Sequence, residues 1–218
     1  MFRSITNVWL SVSIAMLAFL FSSPTHAQYF HGGLLLGANG SQITGDNMLG
    51  FNKGGLLMGV FVEHRSIRQE RLSLRMEMNY TQKGSRKVLD PYVNVPGIWN
   101  LYRADYLEVP IMADFLVYKK WGATGGLALG FNVYENYIDR YGTEDKNFNL
   151  AKKTESSLLI GIFYEFSEKF RFFLRYQSSL YNFSIADNTP FWQLWGNRHP
   201  GYIHVVASAG IRYYFKPR

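Results

Sequence analysis

RLSLRMEMNY, residues 71–80, places a large apolar side chain at every even position (Leu72, Leu74, Met76, Met78, Tyr80) and a polar one at every odd position (Arg71, Ser73, Arg75, Glu77, Asn79). A period of two marks a strand with one apolar and one polar face. Two structures fit that pattern in opposite orientations. In a soluble sheet the leucines and methionines point into the core and the arginines meet water. In a barrel that crosses a bilayer the apolar row faces lipid, and Arg75 and Glu77 point inward. The remainder of the chain decides between them.

The chain opens with the basic Met1-Phe2-Arg3, runs through 14 mostly apolar residues from Val8 to Phe21, and then shows Thr25-His26-Ala27. That order of basic, apolar and small-residue segments is a secretory signal peptide. The apolar run is short of the ~20 residues a helical membrane anchor needs. A cleaved signal peptide at 1–27 is therefore predicted, with one domain at 28–218. The absence of Cys excludes disulfides, thiolate metal sites and lipid attachment at a cysteine. Aromatic residues at 17% and 20 Gly make a β-rich composition. The net charge is +7, and +6 without Arg3. An exported chain seldom meets nucleic acid, so this charge is expected on rims and loops, with no nucleic-acid partner.

Working outward from residues 71–80, the same period recurs in eight segments, at about 30–40, 54–64, 71–83, 105–117, 124–134, 154–166, 170–182 and 202–215. Each is long enough for a tilted strand to cross a bilayer, which takes ~10 residues. The first, containing GGLLLGANG, alternates least well. From the second segment onward the connections are short, long, short, long, short and long: 65–70, 84–104, 118–123, 135–153, 167–169 and 183–201. An up-and-down barrel with tight turns at one end and extended loops at the other sorts its connections by parity in this way. A soluble sandwich has no reason to. The polar face of the fifth segment, Thr124, Gly126, Ala128, Gly130 and Asn132, suits a crowded interior better than a solvent face. Closure also pairs every backbone group, as lipid requires. Pro110 interrupts this, and a bulge or a locally missing ladder bond is expected there. The predicted fold is an all-β, eight-stranded antiparallel up-and-down transmembrane β-barrel.

The stretches GLLLGANGSQITGDNMLGFNKGGLLMGVFVEH, MEMNYTQKGSR, YLEVPIMADF, GLALGFNVY and GIRYYF follow one another through most of the domain. In that order they resemble the PorT-like outer-membrane β-barrel proteins. The resemblance implies an integral outer-membrane protein of a Gram-negative cell. One namesake of that family serves type IX secretion, but barrel motifs report the scaffold and not the task.

The inward face predicts a lumen charge network of Arg71, Arg75, Glu77, Glu108, Asp114, Glu165, Arg171, Arg175 and Arg212, with Glu63 and Glu155 on the same face. Charges taken out of water need partners. Glu108 is the first candidate partner for Arg75, with Glu77 too near in sequence to face it squarely. Trp99, Trp192 and Trp195 sit in long loops beside polar residues, where they suit a glycan or protein partner or an aromatic girdle at the bilayer surface. The short turns carry Arg65, Arg68, Lys119, Lys120, Lys169, Lys216 and Arg218 against Glu70 and Glu168, a rim that suits outer-membrane lipids.

A lipid-modifying barrel enzyme is the alternative. His31, His64, His199 and His204 lack zinc-ligand spacing, and no Gly-x-Ser-x-Gly or phosphate-cradling loop is present. His204 and Ser208 share a face but stand roughly 13 Å apart along a strand. No catalytic, metal or cofactor residue is predicted, and an open diffusion pore is disfavoured because eight strands enclose a side-chain-filled interior.

Overall fold

The computed structural model describes residues 30–44, 50–65, 71–86, 100–139, 142–145, 150–184 and 202–216. The predicted signal segment lies outside them. The strands are β1 (Phe30–Thr44), β2 (Lys53–Arg65), β3 (Leu72–Arg86), β4 (Leu101–Tyr118), β5 (Trp121–Ile138), β6 (Glu144–Asp145), β7 (Thr154–Glu165), β8 (Phe170–Ser179) and β9 (Ile203–Tyr214). Each long strand pairs with its sequence neighbour. β1 returns to β9 through the register Gly33–Tyr214 to Thr44–Ile203, and this seam closes the barrel. The two-residue β6 only extends β5, so the closed wall has eight staves. A closed antiparallel wall leaves no edge with unpaired backbone groups.

Exposure along β3 fixes which face is which. Leu74, Met76 and Met78 are 55%, 55% and 59% exposed, whereas Arg75, Glu77 and Asn79 are 3%, 2% and 0% exposed. The apolar row is outside and the charged row is inside. This inversion holds around the wall, through Leu34 and Leu36, Val60 and Val62, Val109 and Ile111, Leu127 and Leu129, Ile160 and Ile162, and Phe172 and Leu174. Such a surface is stable only in hydrocarbon.

β1 is regular over all 15 residues. Its alternation is hidden in Leu34-Leu35-Leu36, because Leu35 is an apolar side chain that points inward. There it joins Leu57, Phe61, Phe163, Phe173 and Tyr214. β4 and β5 run past their expected ends to Leu101 and Ile138. Between Asp105 and Tyr106 their register slips by one residue, so Val133 is extra on β5. A bulge of this kind breaks the period of two on β5, which is why the alternation there was followed no further than residue 134. Pro110 pairs with Ala128 without a slip. On its other side the β3–β4 ladder passes from Met76–Ile111 directly to Asn79–Glu108, leaving the missing bonds that a residue without N–H imposes.

Candidate functional site: the charged lumen

The inward residues form two ionic layers. At the level of the short turns, three guanidinium groups converge on one oxygen of Asp114: Arg75, Arg171 at 2.8 Å and Arg212 at 2.7 Å. Thr124 donates to the other oxygen at 2.6 Å. Arg75 also bonds Glu77 at 2.7 Å, and Arg175 holds Glu77 at 2.8 Å from the opposite side. Arg171 reaches half-buried Glu165 at 2.5 Å, and Tyr214 donates to Glu63 at 2.7 Å. Aromatic rings fill the gaps. Arg171 lies 4.2 Å from the Phe163 ring centroid, and Arg212 lies 5.7 Å and Arg175 5.4 Å from that of Phe173. A planar, weakly hydrated guanidinium tolerates such faces better than an ammonium does. Gly122 makes this possible, since a Cβ there would fall 2.1 Å from the Phe163 ring.

Nearer the long loops, Lys83 bridges Glu108 at 2.6 Å and Glu155 at 2.8 Å. Gln177 and Thr81 complete Glu108 at 2.8 and 3.2 Å. Ser179, Ser157 and the His204 ring complete Glu155 at 2.8, 3.1 and 2.8 Å. Gly130 faces Glu108, where a Cβ would approach Cγ to 3.3 Å. Above this layer the mouth is packed. Phe183 stacks on His204 at 3.8 Å, its N–H donates to the Tyr202 carbonyl, and its carbonyl accepts from Lys152 N–H. Glu135 takes the N–H groups of Leu150 and Ala151 together with the Tyr102 hydroxyl.

The structure thus brings Arg75, Glu77, Asp114, Glu165, Arg171, Arg175 and Arg212 into one cluster and Glu108 into another. Two expectations need correction. Arg71 is exposed in the turn before β3, at the short-turn mouth of the lumen beside Ser73 and Glu165, and is not part of the buried network, because β3 begins only at Leu72. Arg75 is held by Glu77 and Asp114 and not by Glu108, whose β3 partner is Asn79, four residues beyond Arg75. Glu77 reaches Arg75 because side chains two apart lean along the same face of a strand. Lys83 was missed, although its odd number continues the inward row of Arg75, Glu77, Asn79 and Thr81. Trp99, Trp192 and Trp195 lie outside the described residues. At the short-turn end, Arg65, Lys119, Lys120, Lys169 and Lys216 are described, with Glu168; Arg68, Glu70 and Arg218 are not. Among the described residues no group of three or more His, Asp or Glu is gathered as a metal site.

Solved structures similar to this chain include the attachment invasion locus protein Ail of Yersinia pestis, at 12% identity over 85% of this chain and 98% of that one, with a TM-score of 0.44. Neisserial surface protein A matches at 15% identity over 86% and 98%, with a TM-score of 0.49. OprG of Pseudomonas aeruginosa matches at 11% over 85% and 94%, with a TM-score of 0.36. No curated protein matches the chain. The family model described as outer membrane protein beta-barrel domain covers residues 21–184, most of the barrel. The chain belongs to this family, and its strands make it an integral protein of the outer membrane.

Proposed function

We propose that this barrel is a non-enzymatic envelope protein that works through its long loops, either as a structural element or by binding a protein or glycan, with a lumen that transports nothing. The observation that carries this reading is the two-layered ionic interior, in which the charged side chains are spent on one another. The enzyme alternative gains nothing from His204, whose Nδ1 is held by Glu155 while Ser179 and Ser157 also donate to Glu155. A serine nucleophile would need its hydroxyl on the histidine. Residues 1–27 leave as a signal peptide in this reading, the short turns face the periplasm, and their basic rim meets anionic lipid headgroups. The ordered PorT-like motifs extend the proposal to a tie with protein secretion. Crosslinking from intact cells through photoreactive groups at Trp99, Trp192 and Trp195 tests the loop reading, with the mass of the captured barrel reporting whether it begins at Gln28. A specific adduct that disappears when the three positions are replaced by Ala supports it. Crosslinks to lipid alone at all three positions would assign these residues to the aromatic girdle instead.

A further inference from the structure

On the long-loop side the wall opens between β7 and β8. The two strands are paired from Glu165–Arg171 to Ser157–Ser179, and Leu180 N–H then bonds the Ser156 carbonyl at 2.8 Å. They meet again where Lys152 N–H bonds the Phe183 carbonyl at 2.7 Å, beside the Ala151–Ser184 bridge. In between, residues 153–155 stand against Tyr181 and Asn182, so one chain is a residue longer than the other. Such a mismatch bends the longer strand. β7 keeps its pairing with β5, through Asn132 N–H to the Lys153 carbonyl at 2.9 Å, and parts only from β8. A recess of about 270 Å³ occupies the opening, lined by Lys152, Thr154, Glu155, Ser156, Tyr181 and Asn182. Asn182 is 1% exposed, and its Oδ1 accepts from Ser184 N–H at 2.9 Å. That bond fixes the amide and leaves Nδ2 buried with no acceptor among the described residues. A buried donor without a partner is costly, and the recess that Asn182 lines is where an acceptor can enter.

We propose that this recess binds a single neutral sugar ring. Among the described residues that line it, Lys152 is the one cation and Glu155 the one anion, so net charge selects no ion. Glu155 is already engaged by Lys83, Ser179 and the His204 ring, and Lys152 Nζ donates to the Asn182 carbonyl at 3.1 Å. Thr154 and Ser156 each bring a hydroxyl able to donate or accept, the pairing that sugar hydroxyls need. Tyr181, 49% exposed, brings a ring whose apolar face suits the C–H face of a sugar. The volume falls just below the roughly 300–1,000 Å³ of drug-sized sites, which suits one ring better than a peptide segment. Height agrees. The outward row of β7 is apolar as far as Leu158 and then turns to Ser156 and Thr154, which puts the recess at the boundary of the lipid-facing band. Glycolipid headgroups and free glycans both meet the barrel at that level. This site rests on the glycan branch of the proposed function and gives it a place in the wall, apart from the loop tryptophans.

The test uses the whole isotope-labelled barrel in phosphatidylcholine nanodiscs. Amide NMR spectra are recorded during titration with the methyl glycosides of glucose, galactose, mannose and N-acetylglucosamine. At least one should shift the signals of Ser156, Tyr181 and Asn182 saturably, with a Kd of about 1 mM, as befits a small ligand with few contacts, and leave Met76 unmoved. Thr154→Val with Tyr181→Ala, both at exposed positions, should weaken that binding about tenfold or more. Asn182→Asp keeps the acceptor that Ser184 uses, removes the donor, and should weaken binding likewise; if it does not refold, the exposed pair carries the comparison. Replacing Trp99, Trp192 and Trp195 by Ala should leave the sugar bound, so failure of the loop reading and failure of this site are told apart. Doping the nanodiscs with the diacylglycerol glycoside of the sugar that binds separates the two sources. A membrane glycolipid should compete with the methyl glycoside, whereas a site for free glycans should be indifferent to it. No saturable shift with any of these glycosides, undiminished binding in the Thr154→Val, Tyr181→Ala barrel, or equal shifts at Met76 would each overturn the proposal.

Discussion

Asp114 receives Arg75, Arg171 and Arg212, which come from three different strands. A carboxylate in that position neutralises several buried cations at once, so its loss is costlier than that of any one arginine. Asp114→Asn keeps the shape and removes the charge. It is expected to destabilise the barrel by about 3–5 kcal/mol, the usual cost of stranding buried charge, measured by refolding into lipid at graded urea. A double-mutant cycle separates true partners from neighbours. Arg75→Met and Glu77→Gln should couple by about 1 kcal/mol or more, while Arg75→Met and Glu108→Gln should add within about 0.5 kcal/mol. Coupling of Arg75 to Glu108 in place of Glu77 would mean that the register of the lumen differs from the one described. The membership of this network was legible in the sequence wherever side-chain parity alone decides it, as for Arg75, Asp114, Arg171, Arg175 and Arg212. The pairings were not, because they depend on how far each strand is shifted against the next and on which strands meet across the lumen.

On the scale of the strand, a period of two is readable where one face is apolar and the other polar, as in β3, and fails where physics puts the same character on both faces. Leu35 in β1 is apolar and inward because the lumen itself contains an apolar cluster between its charges. The end of β5 was unreadable for a different reason, since the bulge at Val133 shifts its parity and that strand continues beyond it with inside and outside exchanged. β4, in contrast, keeps its parity to Leu101 and simply turns apolar on its inward side at Tyr102, Ala104 and Tyr106. Lys83, the last residue of the predicted third segment, was lost because the inward row was not followed to the end of that segment. Where alternation is clean, the outward row makes a sharp prediction. Met76→Arg places a charge in the hydrocarbon band and should cost ~2–4 kcal/mol near the midplane, whereas Met76→Leu should be nearly neutral. Both are measured by the same urea-dependent refolding. A Met76→Arg barrel as stable as wild type would mean that this row does not face lipid.

At the scale of the whole molecule, the fold and the proposed impermeability have one origin. Eight strands enclose little more than the width of their own inward side chains, and here those side chains are long and charged, so they must pair across the lumen to be tolerated at all. The pairing that stabilises the wall also sets two ionic layers across the lumen, at Asp114 and at Lys83, with Phe183 and His204 packed over the second, and in the proposed reading these close the path along its axis. Planar-bilayer recordings should therefore show no steady current from the wild-type barrel. The informative variant is Phe183→Ala. It removes a buried ring and should cost about 3–5 kcal/mol in refolding measurements, yet both ionic layers lie below it and remain. An ordinary gated pore would open when its cap is removed. This barrel should lose stability and stay closed, and only combined loss of the cap and of Lys83 and Glu155 should admit ions. A steady current from Phe183→Ala alone would show that the ionic layers part readily, and would reopen the case for transport through the lumen.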